Sequence, residues 1–198
     1  KEDKYIEAFV EISKLFYENP QDGELIGACV FLHERIVEGN YDFEPETAEQ
    51  FMFRGIAKFY KEEYANSIHD YDKGLKLNPD CHYTMKCKAF SLMHLHDYLT
   101  AINILEAAIS ISPKGEYFDD IAENYSRMGD KLKAIEYNKL AVGHSPDDPR
   151  LIYNYAVQLG ELGQYELAIA LFSRALEIWP HYDDAKHNLA HYINKIRQ

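Results

Sequence analysis

The sequence is short of positive charge, paired cysteines, proline and long apolar runs, and each shortage narrows what the protein can be. Against 33 acidic residues stand 21 basic ones, a formal net charge of −12. No basic run or stripe offsets that balance. Such a surface repels phosphate backbones, so nucleic-acid binding is disfavoured and a basic or neutral partner suits it better. The three cysteines, Cys29, Cys81 and Cys87, form no Cys-x-x-Cys pair and are odd in number. That argues against a disulfide framework and for a reducing, cytoplasmic compartment. The chain opens on Lys1 rather than Met, so the want of a leader in it says little about targeting. No stretch nears the ~20 continuous apolar residues of a membrane span, and no membrane insertion is expected. With 7 Pro and 10 Gly in 198 residues, beside 16 Tyr and 10 Phe, the composition is that of a folded chain.

The few prolines are placed periodically. Pro79, Pro113, Pro146 and Pro180 lie 34, 33 and 34 residues apart, a period that belongs to stacked repeats. Aligned backward from each proline, the chain divides into units 48–81, 82–114, 115–148 and 149–182, and 183–198 begins a fifth. Small residues recur in that register. The eighth place holds Gly55, Ala89, Ala122, Ala156 and Ala190; the twentieth holds Ser67, Ala101, Ala134 and Ala168; the twenty-seventh holds Gly74, Ala108, Ala141 and Ala175. Small side chains there let two helices approach at the short end of the usual ~8–10 Å. Larger residues fill the space between: Phe51, Met85, Phe118 and Ile152 at the fourth place, and Tyr64, Tyr98 and Tyr165 at the seventeenth. Gly129 and Gly163 mark turns between paired helices, and each closing proline ends a second helix. Pro149 after Asp147 and Asp148 reads as an N-cap followed by a helix start.

In these features the chain resembles the tetratricopeptide-repeat family. The fourth unit, with NYAVQLGELGQYELAIALFSRALEIWP, carries the resemblance most fully, and the third, with NYSRMGDKLKAIEYNKLAVGHSP, supports it. The resemblance covers about three quarters of the chain. It implies an all-α fold, a right-handed α-solenoid of antiparallel helix pairs, and a protein–protein interaction scaffold rather than an enzyme. The first unit departs from the pattern, because Arg54 and Lys58 stand where apolar residues are usual. It is expected to be the least regular.

Residues 1–47 precede the regular units. Ile6, Phe9, Val10 and Phe16, then Leu25, Cys29, Leu32 and Ile36, fit helical faces. Asp22 reads as an N-cap and Gly39 as a stop. The expectation is a helical hairpin or degenerate repeat covering the first unit, with 183–198 as a capping helix.

The resemblance also implies a concave groove lined by the first helix of each unit. Carried over by position, it places Met52, Ile56, Phe59 and Tyr60 of the first unit there, and Tyr83, Lys86, Phe90 and His94 of the second. The third gives Asp119, Glu123 and Arg127, with Asp120 adding to the acidity, and the fourth gives Tyr153, Val157 and Gly160. Such a groove is aromatic at its N-terminal end and acidic in its middle. It fits an extended or helical peptide with apolar anchors flanked by basic residues. The alternative is that the N-terminal hairpin folds over the aromatic end and buries it.

Members that bind chaperone C-terminal tails grip the carboxylate through a Lys at the fifth place and Asn at the ninth. Here those places hold Met52 and Ile56, then Lys86 and Phe90, and Asp120 replaces the Asn of the following unit. The clamp is absent, and chaperone tails are not expected partners. Asp184, His187 and His191 share one helical face and form a weak metal candidate, but Asn188 stands where a zincin would carry Glu. No metal or cofactor is expected. Asp119, Asp120 and Glu123 near a helix start are better explained as dipole complements than as an acid–base pair. No nucleophile elbow or phosphate-binding loop accompanies them. Besides the interaction scaffold, two other functions fit: the substrate-recognition arm of a larger enzyme, and a homo-oligomerisation module.

Overall fold

A computed structural model describes residues 45–197; the expected N-terminal hairpin lies outside them. Among the described residues there are nine helices and no strands. The chain divides between Leu95 and His96 into two compact units, a division that falls inside the second repeat, between its two helices.

The first unit contains α1 (Ala48–Tyr60), α2 (Tyr64–Leu77) and α3 (His82–His94). Thr47 starts α1 with a capping box: its hydroxyl accepts from the Gln50 amide at 3.2 Å, and the Gln50 side chain returns the bond to the Thr47 amide at 3.4 Å. Phe53 and Ala57 are buried on α1, Tyr71 on α2, and Ala89 and Leu92 on α3. The irregularity expected of this repeat has a specific form. Arg54 and Lys58 both turn onto Asp70 of α2. The guanidinium donates to the two carboxylate oxygens at 2.9 and 2.7 Å, and the Lys58 ammonium approaches at 2.7 Å. The Asp70 side chain is wholly buried. An ion triad thus occupies space that the apolar pattern fills elsewhere.

The second unit contains α4 (Tyr98–Ile111), α5 (Gly115–Arg127), α6 (Lys131–His144), α7 (Pro149–Glu161), α8 (Tyr165–Ile178) and α9 (Asp183–Ile196). Each helix packs on its chain neighbours, and α5 meets α7 as α7 meets α9. First helices therefore form one row, as helix-pair repeats require. The small residues of the register make the contacts: Ala101, Ala108, Ala122, Ala134, Ala141, Ala156, Ala168 and Ala175 are all buried. Ala190, in the equivalent place on α9, is exposed, because among the described residues no second helix follows to cover it.

The repeat boundaries follow from local chemistry. The second helices end at Leu77, Ile111, His144 and Ile178, each two residues before its proline, as the restriction on the residue preceding proline demands. Asp148 accepts from the Arg150 amide at 2.9 Å and so caps α7 ahead of Pro149. The turns after α5 and α7 take a left-handed residue at Gly129 (φ 85°) and Gly163 (φ 81°). The equivalent turns after α1 and α3 use Glu62 and His96, both at φ 61°, where a Cβ is unfavourable.

Candidate functional site

Helical spacing sets the site. On α5, Asp119, Glu123, Ser126 and Arg127 fall on one face; on α7, Tyr153, Asn154, Val157 and Gln158 do the same. These two faces, with Asn138 of α6 below them, line an open cleft of about 470 Å³. Five expected groove residues, Asp119, Glu123, Arg127, Tyr153 and Val157, are brought together there. Asp120 lies outside the lining.

The cleft is held by polar contacts across repeats. Asn154 donates to an Asp119 carboxylate oxygen at 2.8 Å, and the Ser126 hydroxyl to the Gln158 amide oxygen at 3.3 Å. Arg127 donates to one Glu123 oxygen through Nε and Nη2 at 3.0 and 2.7 Å. That pair is about half exposed, so it orders the two side chains while adding little stability. The Tyr153 hydroxyl accepts from Asn188 of α9 at 2.9 Å. Burial raises its pKa, and the nearby Asp184 carboxylate adds to the rise, so Tyr153 stays a neutral hydroxyl. Among the described residues, the charged groups of the lining are two carboxylates and one guanidinium.

Asn138 is the feature that the sequence reading missed. It is 2% exposed. Its amide nitrogen donates to the Ala134 carbonyl at 3.0 Å, while its amide oxygen has no hydrogen-bond partner. A buried acceptor left in that state costs about 1–3 kcal/mol. The signal lay in the register. At the twenty-fourth place the other units carry Tyr71, Leu105 and Phe172, each fully buried, and the third alone carries a polar residue.

In the first unit several expected positions are not open to solvent. Met52, Ile56 and Lys86 are buried, at 4, 6 and 5% exposure, so they are corrected from groove lining to interior. Register identifies which face a residue occupies; burial depends on what packs against that face. The Lys86 ammonium lies 5.6 Å from the centroid of the half-buried Phe90 ring. Tyr83 is half-buried. The ring of Phe59 meets Tyr60, Tyr64 and His94 at centroid distances of 5.6, 5.4 and 5.2 Å, and Tyr64 stacks on His94 at 4.7 Å. Tyr60 and His94 are exposed at the edge of this cluster. In the second unit, Gly160 is buried beneath the Tyr192 ring, which leaves no room for a side chain.

The metal candidate is likewise not assembled. Asp184, His187 and His191 are each exposed along α9, with the His191 ring set edge-on to Tyr192 at 5.0 Å. Among the described residues, no group of three or more His, Cys, Asp or Glu is placed to share an ion. Nor, among them, is any helix long and apolar enough to cross a membrane.

A family model described as a tetratricopeptide repeat matches residues 149–182. Residues 149–182 are a tetratricopeptide repeat. An N-terminal acetyltransferase A complex subunit-like protein of Schizosaccharomyces pombe is 27% identical over 132 residues, covering 66% of this chain. The chain spans only 19% of that relative's length. Among solved structures, a thermophilic tetratricopeptide-repeat protein of Thermus thermophilus superposes with a TM-score of 0.71 at 16% identity, over 98% of this chain and 99% of that one. A chain of the APC/C hetero-tetramer Cut9–Hcn1 gives 0.70 at 17%, over 98% and 40%. At such identities the likeness shows the fold alone: an all-α helical-repeat solenoid.

Proposed function

We propose that this tetratricopeptide-repeat chain holds a basic, partly apolar segment of another protein, and that the basic part lies in the cleft between α5 and α7. One observation carries the reading: Asp119, Glu123 and Tyr153 converge in a cleft of about 470 Å³, within the range of ligand pockets. Negative charge there favours a basic segment and speeds its encounter. A separate surface, the ring cluster of Phe59, Tyr60 and His94 in the first unit, suits an apolar anchor. We assign the chain no catalytic step, since Asn154 and Arg127 engage the cleft carboxylates. The compartment that suits three cysteines without a Cys-x-x-Cys pair is the cytoplasm.

Fluorescence anisotropy with a labelled peptide tests this. The peptide carries Leu and Phe anchors between Lys residues, and its control replaces Lys with Glu. The Lys peptide should bind at least tenfold more tightly, about 1.4 kcal/mol. The double variant Asp119→Lys, Glu123→Lys should abolish that preference without unfolding the protein. Equal binding of both peptides contradicts the reading.

The match to an acetyltransferase-complex subunit-like protein favours a second reading, in which the chain is the substrate-recognition arm of a larger enzyme. Co-purification of an acetyltransferase activity with the tagged chain would support it; a tagged chain that brings down no such activity would count against it.

A further inference from the structure

We infer that Arg127 screens partners by charge: its guanidinium holds the Glu123 carboxylate in the cleft until a cationic side chain of the partner displaces it. The inference rests on the proposal that a basic segment lies between α5 and α7, and adds the residue that decides which segments are admitted.

Glu123 and Arg127 stand four residues apart on α5, so their side chains meet on one face of the helix, and both line the cleft. Arg127 Nε and Nη2 donate to a single carboxylate oxygen, Oε1, at 3.0 and 2.7 Å. A charge-assisted bond of that kind is what a lysine or arginine of the partner would form with the same carboxylate. The protein's own guanidinium therefore stands where the incoming charge is to be read, and two cations on one carboxylate repel each other. Solvent makes the exchange possible. The two side chains are 45% and 44% exposed, so water screens their attraction and the pair contributes little to stability. The arginine stem can carry its charge outward into water. Arg54 shows the contrasting, structural arrangement: its side chain is 13% exposed and donates to both oxygens of the wholly buried Asp70. A neutral segment offers nothing in exchange for the bonds to Glu123 and leaves the pair closed, whereas a cation replaces them.

Fluorescence anisotropy with the Lys peptide, and with an analogue carrying norleucine in place of Lys, tests this. Arg127→Met keeps an unbranched stem and removes the charge. It should bind the Lys peptide about threefold more tightly than the parent, the scale of an exposed pair, and the norleucine peptide no more tightly. Arg127→Lys restores a competing charge and should return the Lys-peptide affinity to within about twofold of the parent. Lys139→Met removes the same charge from an exposed site outside the lining and should change that affinity by less than about 1.5-fold. In the parent protein, the Arg127 Nε–H resonance should move saturably with the Lys peptide and stay in place with the norleucine one. Parent-like or weaker binding of the Lys peptide by folded Arg127→Met overturns the inference and leaves the basic-segment reading standing. So does an Arg127 Nε–H unmoved when the Lys peptide saturates the protein, a readout that needs no variant to fold. Equal tightening by Lys139→Met overturns it too, because net charge alone then explains the gain. If neither the parent nor Arg127→Met prefers the Lys peptide to its Glu control, the inference and the basic-segment reading fall together.

Discussion

Replacing Asp70 with Ala removes the counter-charge of two cations at once. The Asp70 side chain is wholly buried, while those of Arg54 and Lys58 are 13% and 26% exposed. Breaking a buried ion pair by deleting one partner costs about 3–5 kcal/mol, because the remaining charge is stranded. Here the cations retain some access to water and can turn outward on long stems. That places the expected loss near the lower limit, at about 3 kcal/mol, or a folding constant reduced by two orders of magnitude. Urea denaturation followed by far-ultraviolet circular dichroism measures the total. Amide hydrogen exchange should localise the loss to α1 and α2, since repeat arrays open in parts. The triple replacement Arg54→Leu, Lys58→Leu, Asp70→Leu should return to within about 1 kcal/mol of the parent, since apolar substitutes for buried triads are often neutral or better. A loss below about 1 kcal/mol for Asp70→Ala refutes the reasoning. So does a triple variant as unstable as the single one.

Further predictions follow from the same geometry. Burial raises the Asp70 pKa, but the hydrogen bonds and charges of Arg54 and Lys58 outweigh it and hold the carboxyl below 3.8. A depressed folded-state pKa gives stability that is present above the unfolded value and lost as pH falls through the folded one. Stability should therefore drop below about pH 4, and Asp70→Asn, less stable at neutral pH, should show a shallower acid slope in pH-resolved melting. Glu62→Gly relieves a left-handed Cβ conformation and should raise stability by about 0.5–1 kcal/mol in urea, whereas unchanged or lower stability means the turn carries no strain. Phe59→Ser should cost about 1–2 kcal/mol, because its half-buried ring packs on Tyr64 and His94. Tyr60→Ser, at 46% exposure, should cost less than about 0.5 kcal/mol; similar losses for the two would remove the distinction between packed and presented rings.

Much of the fold was legible because repeats repeat their punctuation. Pro79, Pro113, Pro146 and Pro180 announced where the second helices end, and Gly129 and Gly163 where paired helices turn. The same rule could not place the turns at Glu62 and His96, since propensity argues against both and only packing holds them there. Arg54 and Lys58 were visibly out of pattern, yet their partner Asp70 lies on another helix, 16 residues from Arg54, beyond any local spacing rule. Helical periodicity puts Asp119 beside Glu123 and Tyr153 beside Val157, but that these faces line a groove was implied only by the resemblance to the repeat family. The depth of Met52, Ile56 and Lys86 was not readable, because exposure depends on neighbours that a single helix does not reveal. Asn138 could have been found by comparing the twenty-fourth place across units, where one amide interrupts a series of large apolar residues.

The central claim is that a basic segment binds between α5 and α7. The most direct measurement is an amide-resolved nuclear magnetic resonance titration with the Lys-flanked peptide. The account predicts saturable shifts concentrated on Asp119, Glu123, Tyr153 and Val157, lost when Asp119 and Glu123 are replaced by Lys. Shifts that saturate elsewhere while these four residues stay unmoved would contradict it.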